Sequence, residues 1–538
     1  MMKKRIAMLT LWTVLLGVFG LGAASSSYAD EKTPTDKFRV GMEAGYAPFN
    51  WTQTDDSHGA VPIGNDSWAG GYDVQIAKKV AEGLGKELVI VKTDWDGLPV
   101  ALQSGNIDAV IAGMSPTAER KKEIGFTDPY YQSDLVMVVR ADSQFAKATS
   151  LDDFRGAKIT GQQSTFHYTV IDQIPDVEKE QAVKTFSQMR AALLSGAIDG
   201  YVSERPEGVT AEIASKQYKM VEFSDGAGFK TNPEDVQVAV GMRQNDPDIA
   251  KVNEILAGIS EAERLSLMDR AIKEQPVAKS AEDNEAAGAK PGLLTDFKNI
   301  WTQYGGLFLR GAGMTLFIAL ISTVVGTMIG LLIGVFRTIP EAVSKGRRTL
   351  QRFGNWLLSV YIEVFRGTPM MVQAMVIYYG LGMAFEINLN RTFAALLIVS
   401  INTGAYMSEI VRGGIFAVDR GQFEAAQAIG MTHGQTMKKI VIPQVLRNIL
   451  PATGNEFIIN IKDTAVLSVI SVADLFFQGN SAAGTNYKYF QVFTIIAVMY
   501  LIMTYTITRI LRALEHKMDG PASYEKTATN SIQSELEE

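Results

Sequence analysis

The chain has 538 residues, 47% of them apolar, a formal net charge of −7, four histidines and no cysteine. That length allows two or three domains, and the modest negative charge without a basic, aromatic-rich patch excludes nucleic acid as a partner. The lack of cysteine excludes disulfides, thiolate metal sites and a lipid anchor on cysteine.

The first residues carry an export pattern. Lys3, Lys4 and Arg5 precede an apolar run from Ile6 to Ala24, followed by Ser27-Tyr28-Ala29, small residues at the positions a signal peptidase reads. A signal peptide over residues 1–29 is expected, with an uncleaved anchor as the alternative. Either reading places the chain from Asp30 onward outside the cell.

From Lys37 to Gln275 strand-like and helix-like runs alternate. FRVGMEA and LVIVKT read as strands, while GYDVQIAKKVAEGLG places Val74, Ile76, Ala77, Val80, Ala81 and Leu84 on one helical face. LPVALQSGNIDAVIAGMS and AALLSGAIDGYVSE are two further helix-to-strand passages. The alternation predicts βαβ units with parallel sheets, and about 240 residues are too many for one compact core, so two α/β lobes are expected. GMEAGYAPF, GYDVQIAKK, DWDGLPVALQSGNIDAVIAGMSPTAER and FTDPYY, taken together and in this order, resemble the extracytoplasmic binding proteins of polar amino acid importers. The resemblance runs from Phe38 to Lys273 and implies a two-lobed clamshell, with a domain over residues 30–275.

Residues 276–292, rich in Ala, Glu, Lys, Pro and Gly, read as a tether whose coil reach is about 25 Å. Five apolar spans are then expected over residues 307–336, 356–385, 393–416, 449–477 and 490–511, inside a transmembrane domain at 293–515. Arg337, Lys345, Arg347, Arg348 and Arg352 fall between the first two spans, and Arg420, Lys438, Lys439 and Arg447 between the third and fourth. The opposite loops carry little beyond Arg391 and Lys488, so both basic loops are expected in the cytoplasm, together with an acidic tail at 516–538 that reads as disordered.

Between the third and fourth spans runs FEAAQAIGMTHGQTMKKIVIPQ, residues 423–444. Glu, Ala and Gln favour a helix, Gly430 supplies a positive φ to end it, and Met431 to Val441 starts a second. The spacing from Glu424-Ala425-Ala426 to Gly430 and on to Ile440 and Pro443 resembles the EAA loop (residues 423–443) of ABC importer permeases, with Ile442 where that family usually has Leu. The resemblance implies that Glu424, Ala425, Ala426 and Gly430 couple to a cytoplasmic ABC ATPase dimer and that the permease pairs with a second copy in the lipid membrane.

A free amino acid offers a carboxylate, an ammonium and a side chain. Arginine suits the first, because its planar guanidinium grips a carboxylate with two parallel hydrogen bonds. The resemblance assigns that role to Arg120, with Ser115, the backbone at Gly113 and Thr165, and the ammonium to Glu204, where the family usually has Asp. Tyr46 and Trp95 match aromatic positions that sandwich the ligand side chain. Glu43 matches an acid at the far end of the pocket. A carboxylate left unpaired there favours lysine, arginine or ornithine, although glutamine binders also carry an acid at this place. His167 lies close in sequence to Thr165, and a lone histidine is more often a solvated or satisfied one. Glu363 with Arg366, and Glu409 with Arg412, are spaced to share a helix face.

No G-x-x-x-x-G-K-[ST] loop is present, GLGKEL lacking both the spacing and the hydroxyl, so no ATP hydrolysis by this polypeptide is expected. Nor is a metal site, a cofactor or a catalytic triad. The fold class expected is a two-lobed α/β periplasmic-binding-protein-like clamshell followed by an all-α ABC importer transmembrane domain of about five helices. The function expected is import of a polar amino acid, not enzymatic catalysis. A ligand-gated channel would need a pore inserted in the clamshell and a TVGYG-like filter, and a transmembrane sensor would need a cytoplasmic signalling domain. The EAA-like loop fits neither.

Overall fold

β-branched runs separated by amphipathic helices fold into two mixed sheets in the computed structural model, which describes residues 36–276 and 292–519 apart from 65, 66, 386, 388 and 487. The predicted signal segment, nearly all of the tether and most of the acidic tail lie outside the described residues. The chain divides into two units, one comprising Met1–Gly311, Met375–Ala394 and Ser468–Ile495, the other Ala312–Ala374, Ala395–Leu467 and Ile496–Glu538.

The first unit holds β1 (Lys37–Met42), β2 (Gly45–Tyr46), β3 (Asn50–Gln53), β4 (Val61–Gly64), β5 (Ser67–Gly70), α1 (Tyr72–Leu84), β6 (Glu87–Lys92), α2 (Leu98–Gln103), β7 (Ala109–Val110) and β8 (Gly125–Gln132). All six residues assigned to the apolar face of α1 are buried. A second lobe follows with β9 (Leu135–Arg140), β10 (Lys158–Thr160), α3 (Phe166–Thr169), β11 (Glu178–Lys179), α4 (Phe186–Ser195), β12 (Gly200–Glu204), α5 (Arg205–Ala214) and β13 (Tyr218–Val221). The chain then returns through β14 (Gln237–Met242), α6 (Ile249–Ala257) and α7 (Glu261–Glu274).

The first-lobe sheet has the order β6-β1-β7-β14-β8, the second-lobe sheet β11-β10-β12-β9-β13, and a small sheet β2-β3-β5-β4 sits on the first. The sheets are mixed rather than parallel throughout. β6, β1 and β7 are parallel, as are β11, β10 and β12, but β14 and β8 join the first sheet, and β9 and β13 the second, in antiparallel pairs. The reason is topological: β8 leads directly into β9, so one extended segment serves both lobes, and β14 brings the chain back the other way. These two crossings are tied together, the amide of Ser133 donating to the Val236 carbonyl at 3.0 Å. The second lobe is filled by Met137, Phe145, Phe154, Ile159, Ile171 and Val202 among others.

The helical region comprises α8 (Leu293–Arg337), α9 (Lys345–Gly367), α10 (Met370–Phe385), α11 (Arg391–Phe416), α12 (Arg420–Ala428), α13 (His433–Thr436), α14 (Ile442–Asp463), α15 (Leu475–Asn486) and α16 (Tyr489–Asp519). Among the described residues α8, α11 and α16 are long and apolar enough to cross a membrane, and α10 is a shorter apolar helix. The second and fourth predicted spans are not continuous helices. Pro369 disfavours helical backbone at the residue before it, and Thr368 is extended with ψ 146°, which divides the second span between α9 and α10. The fourth ends as a regular helix at Asp463 and passes into a 3-10 stretch, Thr464–Ile470.

Within the second unit, polar side chains pair with one another in the apolar surroundings. The Asn460 amide donates to Thr323 Oγ1 at 2.8 Å and to Thr403 Oγ1 at 3.0 Å, and Asn402 donates to Gln373 Oε1 at 3.0 Å. Glu409 accepts from Arg412 at 2.6 Å and also pairs with Arg337. Arg366 lies over the Tyr406 ring at 5.4 Å.

Candidate functional site

Backbone groups at the carboxyl ends of parallel strands point out of a sheet toward the crevice beyond it, which is where open α/β folds place ligands. Glu43 follows β1, Trp95 follows β6, and Gly113 and Ser115 follow β7, three neighbouring parallel strands of the first lobe. Thr165 follows β10, and Glu204 ends β12, a parallel pair in the second lobe. Pro206 at the start of α5 sets the helical φ there, so the chain turns immediately after Glu204 and leaves its carboxylate at the strand end. Behind it, a buried ion pair joins Arg190 of α4 to Glu207 of α5 at 2.5 Å, and Glu207 also accepts from Ser203 at 2.6 Å.

These strand ends border a cleft lined by Glu43, Tyr46, Trp95, Gly113, Ser115, Arg120 and Thr165 together with Gln162, Phe166 and His167. Glu204 stands behind Tyr46, whose hydroxyl donates to its Oε2 at 2.9 Å. The eight residues assigned from sequence are thus in one place. Arg120 bridges the lobes, donating to the Ser115 carbonyl at 2.9 Å and the Ser164 carbonyl at 3.0 Å, with its guanidinium over the Trp95 ring at 5.1 Å. Thr165 Oγ1 donates to the Gln162 carbonyl at 2.7 Å. The Tyr46 ring stacks on Phe49 and on Phe186, with centroids at 5.1 and 4.6 Å.

Sequence reasoning weighed His167 without assigning it a role and missed two further features. His167 is buried in the cleft with Nε2 3.7 Å from Glu204 Oε1, and neither ring nitrogen is hydrogen-bonded to a protein group. Phe186, a second-lobe residue at the start of α4, closes over Tyr46. A buried network holds the Gly113 turn: Asp73 accepts from Tyr130 at 2.7 Å and from Asn50 at 2.8 Å, and the Gly113 amide donates to the Tyr130 hydroxyl at 3.3 Å. The FTDPYY and GYDVQ motifs contained two of these residues, but only the fold brings them together.

Burial dominates the site's electrostatics. It raises the Glu43 carboxyl to about 8, with Asp94 adding to the rise and Lys92 opposing it. Burial lowers the Lys92 ammonium to about 7 and raises Asp94 to about 6. The Arg120 guanidinium is pushed down to about 10 by burial against the pull of Glu204, which still leaves it charged at neutral pH. The cleft therefore presents a cationic fork, an acid beyond Tyr46, and a second carboxyl that holds its proton at neutral pH.

The EAA-like segment forms a helix, a turn and a second helix in the second unit. α12 ends before Gly430, whose φ of 76° is the left-handed conformation read from sequence. α13 begins with a capping box between Thr432 and Gln435 and passes through a π-helical turn, Met437–Val441, into α14. Met437, Val441, Val445 and Ile449 pack against Met407, Val411 and Ile415 of α11, while Ala426 is buried. Glu424, Ala425 and Gly430 are exposed, and Ile429 leaves 76% of its surface uncovered.

Residues 38–271 match the model of the family described as bacterial extracellular solute-binding proteins, family 3, and residues 342–520 match that of the binding-protein-dependent transport system inner membrane component. The chain is 39% identical over 228 residues to the glutamine transport system permease protein GlnP of Escherichia coli, covering 41% of this chain and 97% of that protein. It is 34% identical over 210 residues to the arginine transport system permease protein ArtQ of Bacillus subtilis, covering 39% of this chain and 91% of that one. Among solved structures, it is similar to the amino acid ABC transporter substrate-binding protein AbpA of Streptococcus pneumoniae bound to L-arginine, at 23% identity and a TM-score of 0.38, over 44% of this chain and 94% of that one. The relatives are transport components rather than enzymes, and their match spans nearly the whole of a permease while leaving the clamshell as an addition on the same polypeptide. The chain belongs to the binding-protein-dependent inner membrane components, as an amino acid ABC transporter permease with a family 3 solute-binding domain fused to it.

Proposed function

We propose that this chain carries out ATP-driven import of a polar amino acid, capturing it in the clamshell and passing it through its own membrane helices. The observation that carries the reading is the cleft itself. The Arg120 fork and the Glu204 carboxylate are the two charges a zwitterion needs, set among aromatic rings. Arg120 now holds two carbonyls and Glu204 a hydroxyl, partners that a ligand carboxylate and ammonium would replace.

A separate cytoplasmic ATPase would receive the exposed face of α12, where Glu424, Ala425 and Ile429 are unpacked. The permease would pair with a second copy, with the clamshell outside and the EAA-like loop inside. The basic residues of the two predicted inner loops favour that orientation. Ligand closes the lobes about the β8–β9 and β13–β14 crossings, because it binds the closed state more tightly than the open one.

A basic side chain is favoured over an amide because it would take up the Glu43 carboxylate that burial otherwise keeps protonated. GlnP and ArtQ, named for glutamine and arginine transport, stand on either side of that choice. Calorimetry on the purified full-length chain with the twenty amino acids and ornithine tests the reading. Tight binding of lysine, arginine or ornithine supports Glu43 as a counter-charge, glutamine would assign it a neutral hydrogen bond, and binding of none would overturn the substrate assignment.

A further inference from the structure

Among the described residues α9 is not one of the helices long and apolar enough to cross a membrane, yet much of its apolar surface is uncovered. Its exposed residues Leu350, Phe353, Trp356, Leu357 and Val360 recur three or four residues apart and so form one stripe along the helix. Phe353 and Trp356 stack on each other with ring centroids 5.8 Å apart, and Trp356 leaves 58% of its surface uncovered. Just before the helix Val343 is 94% exposed.

Packing shows that this stripe is the outward face. On the other side of α9, Gln351 donates to the Ile339 carbonyl at 2.8 Å and accepts from the Ala342 amide at 3.0 Å. A Cβ added at Gly354 would stand 3.3 Å from the Phe336 ring, so the end of α8 covers that side. α8 itself exposes Val324, Met328 and Leu332, one apolar row of a helix long enough to cross a membrane.

Cations flank the stripe where α9 begins. Lys345, Arg347, Arg348 and Arg352 are all exposed, and residues 341–352 hold a single carboxylate, Glu341. Glu341 is already engaged by Arg352, at 3.0 and 3.1 Å, and by Arg348 at 3.9 Å. Among the described residues no carboxylate is left within ion-pairing distance of Lys345 or Arg347. These charges do not serve the helix, whose amino end is electropositive and has no acid in its first turn.

We propose that the first half of α9 is a binding surface for anionic phospholipid headgroups, the aromatic stripe entering the acyl boundary and Lys345 and Arg347 meeting the phosphates. Stacked Phe and Trp beside Lys and Arg suit that boundary, where one side is apolar and the other wet. Charge selects this occupant over a second copy of the chain. Two copies paired on the stripe would bring like charges together, whereas an anionic leaflet strengthens binding about fivefold for each Lys or Arg near its surface. The inference goes beyond the transport reading and needs only that the helical region lies in a bilayer. In the orientation proposed above, the leaflet is the cytoplasmic one.

The test uses the full-length chain in vesicles of equal parts phosphatidylglycerol and phosphatidylcholine, with one lipid or the other carrying brominated acyl chains. Bromine quenches a tryptophan only at close range, and comparison with Trp356→Phe isolates Trp356 among the six tryptophans. Trp356 should be quenched about threefold more strongly by brominated phosphatidylglycerol than by brominated phosphatidylcholine. Lys345→Gln with Arg347→Gln should bring the two lipids to near equality. Lys345→Arg with Arg347→Lys keeps both charges and should keep the preference. Equal quenching by both lipids in the unmutated chain, or a preference that survives the glutamine pair, would overturn the headgroup assignment. Quenching by neither would mean that protein, such as a second copy, covers the stripe, and would overturn it too. Calorimetry with the twenty amino acids on the same vesicles tests the transport reading separately, and failure to bind any of them would leave the lipid result standing.

Discussion

Arg120 makes two hydrogen bonds to carbonyl oxygens from opposite lobes, and a ligand carboxylate offers the same guanidinium two better, charged acceptors. Arg120→Ala should therefore weaken amino acid binding by at least about thirtyfold, about 2 kcal/mol, with the circular dichroism of the chain unchanged. Calorimetry decides it, and retained affinity would remove Arg120 from the carboxylate site. Glu43 gives a prediction in pH. With its free carboxyl at about 8, a cationic ligand must displace a proton at neutral pH. Affinity for arginine or lysine should rise about tenfold per unit from pH 6 toward 8 and then level off, whereas affinity for glutamine should stay flat. The groups acting on Glu43, namely Asp94, Asp96, Lys92 and Arg190, are unchanged in Glu43→Gln, which should flatten the profile, and His167→Gln controls for the imidazole in the same cleft. At this scale the sequence was informative wherever a motif held several site residues in one stretch, as GMSPTAER holds Gly113, Ser115 and Arg120. It was silent on the Tyr46–Glu204 bond, whose partners are 158 residues apart.

A second lesson comes from the elements. The amphipathic face of α1 and the turn at Gly430 were legible because each follows from local spacing or from one residue's conformational freedom. The broken second and fourth spans were not read, because hydropathy sums side chains and does not register a backbone break, although Pro369 was in view. In the EAA-like segment the buried residues Ala426, Met437 and Val441 secure the turn, while Glu424 and Ile429 face outward. Glu424→Lys should leave amino acid binding unchanged and abolish uptake in reconstituted vesicles with the cognate ATPase, because the substitution reverses a charge on the proposed docking face without touching the packed one. Normal uptake would remove α12 from the coupling role.

At the scale of the whole molecule, fusion changes what limits transport. A free binding protein must find its permease by diffusion, whereas under the proposed function a clamshell carried on the same polypeptide meets the permease helices at an effective concentration on the order of millimolar. The contacts between clamshell and helices can then be individually modest, such as the hydrogen bond from Thr485 of α15 to the Thr52 carbonyl at 3.2 Å, and still keep the domain docked for part of each cycle. Severing the chain within residues 276–292 should therefore lower ligand affinity of the freed domain only by the factor that docking contributes to binding. Uptake by the remaining permease should fall steeply when that domain is supplied at micromolar concentration and recover only as the concentration approaches millimolar. Vesicle uptake measured against added domain gives the curve directly. Half-maximal uptake in the micromolar range would show that the docked contacts are strong on their own and that the covalent link is not what holds the clamshell in place.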